Sequence, residues 1–192
     1  MQYTEEAKGV LSLMLYDARS ISSAVKYLKG LNGWTGAEIR QVNGSGDYYS
    51  VKMRQYRSAS ILDFPKARRV YESFDRKIET HIKPLINRVW HLNLTEHEGT
   101  QIIRYRRGGR YVAHADAGLD LAVRYFTVIC YLNDDFEGGR THFPSLNYTT
   151  LPQSGKAIIF PSEYLHSAEP VVRGEKYVLV TWILGPAPVS WI

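Results

Sequence analysis

Apolar residues recur at two different periods along this 192-residue chain, helical in the first half and alternating in the second. Ile21, Ala24, Val25, Leu28 and Leu31 follow three- and four-residue spacing, which predicts a helix capped by Ser20 and ended by Asn32-Gly33. The dense apolar run 10–15 just before it fits strand or helix equally. Residues 34–42 and 48–56 read as two strands around the turn-rich Asn43-Gly44-Ser45-Gly46-Asp47. Asp63 and Pro65 open a long helix as cap and first-turn proline. Its apolar face runs Val70, Phe74, Ile78, Ile82, Leu85, Ile86 and Val89, and Pro84 predicts a kink, because proline removes a donor and crowds the preceding turn.

From Thr100 the pattern changes to short strands, at 101–105, 111–114, 125–132, 156–160 and 177–184. They are rich in Val, Ile, Tyr, Phe and Thr and are separated by Gly108-Gly109, Asn133-Asp134, Gly138-Gly139 and Arg173-Gly174. Strands at this spacing predict a β-sandwich or barrel with helices packed outside. The expected fold class is therefore α+β, mainly β, in one domain. Within it, residues 1–98 are expected to give helical support and flanking strands, 99–185 the strand-rich core, and 186–192 a C-terminal tail. Trp191 and Ile192 make that tail apolar enough to pack on the helices or on a partner subunit.

Composition narrows the class. Hydrophobic residues at 44% and charged ones at 22% suit a packed globular domain and argue against disorder. No apolar run nears the roughly 18 residues of a membrane helix, and no signal-peptide pattern opens the chain. The single cysteine, Cys130, rules out an internal disulfide framework and a cysteine-built zinc site, so a cytoplasmic setting is expected. Of the net charge of +5, four units fall in residues 1–98 and one in the remainder. That excess permits anionic ligands without demanding nucleic acid.

Six histidines are the candidate chemistry. His81 lies close to the apolar face of the long helix, where a structural role is expected, and His91 and His97 fall in the helix-to-strand connection and are expected at the surface. His114-Ala115-Asp116 is different: residues two apart on a strand share a face, so an imidazole and a carboxylate can grip one ion. A third ligand from elsewhere would complete two histidines and a carboxylate, the set of non-haem iron oxygenases. His166, after the turn Pro161-Ser162-Glu163, can arrive from the opposite sheet; His142 is the rival. Ten residues beyond His166, Lys176 opens an otherwise apolar strand. An isolated buried ammonium is costly, so this lysine either holds an anion or reaches out from the strand end.

Three stretches carry a family resemblance: YRRGGRYVAHAD from Tyr105, RYFTVICYLNDDFEGGRTHFP from Arg124, and GKAIIFPSEYLHSAEPVVRGEKYVLVTW from Gly155. In order and spacing they resemble the Fe(II)/2-oxoglutarate-dependent dioxygenases of the prolyl 4-hydroxylase-like family. The resemblance implies a double-stranded β-helix (jelly roll) core and iron held by His114, Asp116 and His166. It implies that Lys176 binds the far carboxylate of 2-oxoglutarate, with Tyr105 and Tyr131 beside the cosubstrate and Trp182 against the substrate. It further implies O2 as cosubstrate, ascorbate as a reductant, and hydroxylation of an unactivated aliphatic C–H with release of succinate and CO2.

Arg104, Arg106, Arg107 and Arg110 crowd the approach to the triad without an acid among them, and Arg124 follows it. Arg106, Arg110 and Arg124 are therefore candidate substrate residues, and an anionic amino acid, peptide or natural product is the expected substrate. A nucleic-acid or protein demethylase on the same fold, and a non-catalytic 2-oxoglutarate-binding scaffold, are the alternatives. The first is disfavoured by the lack of any arginine after Lys176. The short link from Asp116 to Arg124 and the turn 43–47 are the candidate lids. Oligomeric state is not legible.

Overall fold

In this computed structural model, residues 2–118 and 121–186 are described. The chain opens with a hairpin of β1 (Thr4–Ala7) and β2 (Val10–Met14), so the ambiguous run 10–15 is strand. Gly9 turns it at φ +71°, a left-handed conformation that favours glycine. Helix α1 (Ala18–Lys29) follows, and its cap is Asp17 instead of Ser20: Asp17 Oδ1 accepts the Ser20 N–H at 2.9 Å. The helix stops at Gly30, short of Asn32-Gly33. Short β3 (Thr35–Gly36) leads to the hairpin β4 (Ile39–Val42) and β5 (Tyr48–Val51). Its turn is the predicted one, fastened by Asn43 Oδ1 accepting from the backbone of Ser45 and Asp47 at 2.9 and 2.8 Å.

After β6 (Arg57–Ser58) and β7 (Ser60–Leu62), Asp63 begins a single 3-10 turn, and α2 (Arg68–Lys77) starts only beyond Ala67. A π-helical turn, Ile78–Ile82, joins α2 to α3 (Lys83–Trp90). This is the predicted kink, falling just ahead of Pro84 where the helix must accommodate a missing donor.

The remaining strands are β8 (Glu96–His97), β9 (Gln101–Tyr105), β10 (Arg110–His114), β11 (Arg124–Tyr131), β12 (Glu137–Gly138), β13 (Thr141–Phe143), β14 (Tyr148–Thr150), β15 (Lys156–Pro161), β16 (His166–Ala168), β17 (Val171–Arg173) and β18 (Lys176–Leu184). The main sheet runs β1-β2-β15-β11-β18-β9-β7-β3, with β8 also on β18, and the facing sheet runs β14-β13-β16-β10-β6. Every pairing is antiparallel. The first 98 residues thus supply strands to both sheets as well as helices, more strand than their pattern suggests.

Strand alternation sorts the side chains of the main sheet onto two cores. In β18, Tyr177, Leu179 and Ile183 face the helices together with Leu28, Phe74, Ile78 and Ile86. Val178, Val180 and Trp182 face the other way, into the space between the sheets, with Ile103, Tyr105, Ile129, Tyr131 and Phe143. Burial on both faces is why β18 reads as an uninterrupted apolar run instead of an alternating one. The same parity turns Arg104 toward the helices, where its guanidinium lies 4.3 Å from the Trp34 ring, while Tyr105 points between the sheets. Among the described residues no helix is long and apolar enough to cross a membrane. Trp191 and Ile192 lie outside the described residues.

Hairpin β1–β2 is held on β15 by a half-buried polar knot. Glu6 accepts from Tyr148 Oη, from Thr150 Oγ1 at 2.8 Å and from Lys156 Nζ at 3.1 Å. Burial pushes the Glu6 carboxyl up, but these donors together outweigh it and hold it below its ordinary value. Its stabilising contribution is therefore full above the ordinary carboxylate pKa and is lost as pH falls through the depressed one. Glu6→Ala is expected to cost about 2 kcal/mol by urea denaturation at neutral pH, since it strands Lys156 in a largely buried position. The difference from wild type should shrink in acid.

Candidate active site

One cavity of about 720 Å³ opens between the two sheets. His114, Asp116 and His166 line it, with one ligand atom from each lying within 4.8 Å of the others. The pairing of β10 with β16 sets His114 directly across from His166. The second histidine therefore comes from the neighbouring strand of the same sheet, not from the opposite one. Asp116 also differs from its expected place: β10 ends at His114, and the carboxylate sits just past the strand. Two backbone bonds put it there, Asp116 N–H and Ala117 N–H donating to Ser162 O at 2.8 and 3.0 Å. Asp116 Oδ1 is 3.3 Å from His114 Nε2, and Oδ2 is 3.5 Å from His166 Nε2.

Hydrogen bonds settle which ring nitrogens are available. His114 Nδ1 donates to Val112 O at 2.8 Å and His166 Nδ1 to Tyr164 O at 3.0 Å. A carbonyl only accepts, so each Nδ1 carries a proton and each ring turns Nε2, the nitrogen left for a metal, toward Asp116. Burial pushes His166 down to about 4, against the pull of Asp116, so it is neutral at neutral pH. Burial alone would raise the Asp116 carboxyl, but His166 and His114 outweigh it and hold it well below the usual range. Thr127 Oγ1 donates to Asp116 Oδ2 at 2.8 Å and touches Ser162 Oγ at 2.9 Å. Two imidazoles that turn Nε2 inward and one ionised carboxylate, gathered on one side of a cavity, fit an Fe(II) ion with open positions.

Lys176 lines the same cavity and is 2% exposed. Its Nζ donates to Gly139 O at 2.7 Å and lies 5.0 and 5.3 Å from the rings of Tyr105 and Tyr131. Among the described residues no carboxylate pairs with it. Gly139 has φ +60°, and an added Cβ would meet Val171 Cγ2 at 3.0 Å and Lys176 Cδ at 3.3 Å, so the second glycine of Gly138-Gly139 lets the backbone close over the lysine stem. Tyr105 lines the cavity, whereas Tyr131 lies beneath it and bonds Thr141 Oγ1 at 2.6 Å.

The arginines are redistributed. Arg106 is 68% exposed and pairs with Glu175 at 3.0 Å, and Arg110 donates to Gln55 O at 3.3 Å; neither lines the cavity. Arg106 points from the turn into solvent, and half-buried Arg110 is held on a backbone carbonyl outside the cavity. Arg124 does line it, but Glu98 neutralises its charge in a two-pronged pair of 2.5 and 2.6 Å. Its guanidinium also lies 3.8 Å from the Trp182 ring and donates to Asp116 O at 3.3 Å. Trp182 faces the cavity with its Nε1 buried and unpaired. His142 turns away, bonding Thr149 Oγ1 at 2.8 Å, because its strand neighbours Thr141 and Phe143 take the inward positions. His81, His91 and His97 do not line the cavity; His97 is half-buried against Asp75 and Glu79 at 3.7 and 3.4 Å.

Sequence reasoning missed Thr127, Tyr111 and Arg57. Tyr111 stacks on His114 with centroids 3.5 Å apart, and its place three residues before a ligand was the one available signal. Nothing in sequence marked Arg57, which reaches the cavity from a two-residue strand. The hairpin β4–β5 walls one side, with Ile39, Gln41 and Ser50 among the lining residues. The link after Asp116 includes Leu119 and Asp120, outside the described residues.

Residues 100–184 match the model of the 2OG-Fe(II) oxygenase superfamily. The curated proteins the chain is similar to include prolyl 4-hydroxylases. It is 30% identical over 125 residues to a putative prolyl 4-hydroxylase of Acanthamoeba polyphaga mimivirus, a match covering 53% of this chain and 52% of that protein. The chain thus spans about half the length of that curated relative. The fold matches a viral collagen prolyl hydroxylase from Paramecium Bursaria Chlorella virus-1, solved with 2OG (TM-score 0.64, 21% identity, 93% and 96% of the two chains). It also matches a Trichoplax adhaerens prolyl hydroxylase solved with a hypoxia inducible factor peptide fragment (TM-score 0.69, 17% identity, 92% and 83% of the two chains).

His166→Ala is expected to weaken Mn(II) binding, followed by electron paramagnetic resonance, by about 100-fold or more, whereas His142→Ala keeps it within about twofold. The reverse pattern would reassign the triad.

Proposed function

We propose that the protein is an Fe(II)- and 2-oxoglutarate-dependent dioxygenase that hydroxylates an unactivated aliphatic C–H of an amino acid, peptide or small natural product, with release of succinate and CO2. One observation carries this: a metal-competent triad and a buried ammonium without a carboxylate share a single cavity. A dicarboxylic keto acid answers both needs, chelating the metal with one end and pairing with Lys176 at the other. Iron bound there with 2-oxoglutarate supplies the oxidising power for aliphatic C–H cleavage.

The chain's own residues supply geometry and a dry site. His114, Asp116 and His166 hold the metal; Thr127 and the Ser162 carbonyl fix the carboxylate's orientation. Tyr105 contacts the cosubstrate directly, and Tyr131 supports it from below through Thr141. Trp182, braced by Arg124, forms the floor beside the reacting carbon. A peptide or amino-acid substrate is favoured because a structural neighbour was solved with a bound peptide fragment and because the hairpin wall ends in exposed Tyr48 and Tyr49. Arg106 and Arg110 no longer argue for an anionic substrate, since neither reaches the cavity.

Uncoupled succinate formation from 2-oxoglutarate with Fe(II) and ascorbate is the direct test. A folded, iron-loaded protein that makes none is not this enzyme. The lysine adds a pH signature. Burial pushes Lys176 down to about 7, partly opposed by Glu169. In the ligand-free protein the group therefore favours its neutral form, and its contribution to folding stability improves from about pH 7 up to the ordinary lysine value of about 10.4. A bound dianion reverses this preference. Calorimetry of 2-oxoglutarate binding to the Mn(II)-loaded protein at pH 8, in two buffers of different ionisation heat, should report uptake of nearly one proton. Uptake should fade below pH 6, and Lys176→Met should abolish it while weakening binding by about 30-fold or more.

A further inference from the structure

Arg57 is a second buried basic group in the cavity, in reach of the Tyr105 hydroxyl. It is 9% exposed and belongs to β6, the edge strand paired with β10 through Tyr111. Its Nη1 donates to Glu38 O at 2.9 Å and its Nη2 to Gln101 Oε1 at 3.2 Å, both neutral acceptors. The Nε proton is buried with no partner. Among the described residues no carboxylate pairs with this guanidinium. It lies 4.9 Å from the centre of the Tyr111 ring, which in turn stacks on the metal-ligand candidate His114. A guanidinium so placed retains its full charge and one unmet donor beside the reacting centre, an arrangement that costs stability unless a ligand completes it.

We propose that Arg57 anchors a carboxylate of the substrate, and hence that the substrate is a free acid, an amino acid or a short peptide whose C-terminal carboxylate lies close to the oxidised carbon. This assignment rests on the hydroxylase reading of the same cavity. Charge accounting separates substrate from cosubstrate: 2-oxoglutarate has two carboxylates, and the metal and Lys176 take both. The acids that also line the cavity do not satisfy Arg57. Asp116 is committed to the two imidazoles, and Glu38 and Asp63 are exposed at the rim, where water screens them. On the hairpin wall Lys52 adds positive charge at the mouth, which favours entry of an anion.

The test uses the iron-loaded, full-length protein and matched probes: the common amino acids and their glycyl dipeptides, each as free acid and as C-terminal amide. Wild-type uncoupled succinate formation is measured first, so that failure of the hydroxylase reading is seen separately. Hydroxylated product is then followed by mass. At least one free acid is expected to be hydroxylated with a kcat/KM about 30-fold or more above its amide. Arg57→Gln should bring the acid down to the level of its amide, mainly through KM, and Arg57→Lys should restore part of the loss. The proposal is overturned by equal turnover of acids and amides, or by an Arg57→Gln effect on 2-oxoglutarate Kd in place of substrate KM. It is equally overturned if wild-type protein makes succinate yet hydroxylates no free acid. Should Arg57→Gln fail to fold, the acid–amide comparison on wild type decides alone.

Discussion

Everything at the centre of this molecule depends on the register between β10 and β16. Antiparallel pairing sets His114 opposite His166, and the same pair of segments ties the Asp116 amide to the Ser162 carbonyl. A slip of one residue would turn one imidazole to the other face of the sheet and leave a two-ligand site. The register is guarded on both sides, by β6 on β10 and by β13 on β16. The short strands of the facing sheet are thus less a stability element than a jig for three ligand atoms, while the long strands of the main sheet carry the apolar load.

The interior of the sandwich is electrically unusual. Lys176 and Arg57 are buried basic groups with neutral hydrogen-bond acceptors only, whereas Arg124 on Glu98, Lys156 on Glu6 and Lys83 on Glu79 meet acids. Both Lys176 and Arg57 face the cavity, where a ligand can supply the missing acid. The cost of the unpaired pair is borne by the two apolar layers on either side of the main sheet.

Much of this was legible in sequence where one residue type in one spacing has few uses. His114, Asp116, His166 and Lys176, which the family resemblance singled out, line one cavity. Strands longer than four residues, β2 apart, were legible too, since alternation or an apolar run marks them. Two-residue strands such as β3, β6 and β12 carry no period at all, which is why Arg57 stayed hidden and why the first half read as more helical than it is. The arginine run misled for a related reason: sequence gives the density of charge, but only parity along a real strand decides that Arg104 turns to Trp34 and Arg106 to Glu175. The cap at Asp17, three residues before Ser20, is a boundary difference of the kind that helix ends invite.

The N-terminal hairpin has a consequence for how the chain is assembled. Its inner strand β2 pairs with β15, from Met14↔Lys156 to Leu11↔Ile159, and β15 in turn pairs with β11. The main sheet therefore closes only by joining the first fifteen residues to segments about 145 positions later, a loop closure whose entropy must be met before its contacts reward it. On a ribosome the opening strand emerges long before its neighbour exists. It waits as an unpaired apolar edge, with Gly9 and the charged Glu5 and Glu6 as its own protection against pairing with another chain. Glu6, which the polar knot takes up in the finished sheet, stands until then as a charge on that edge.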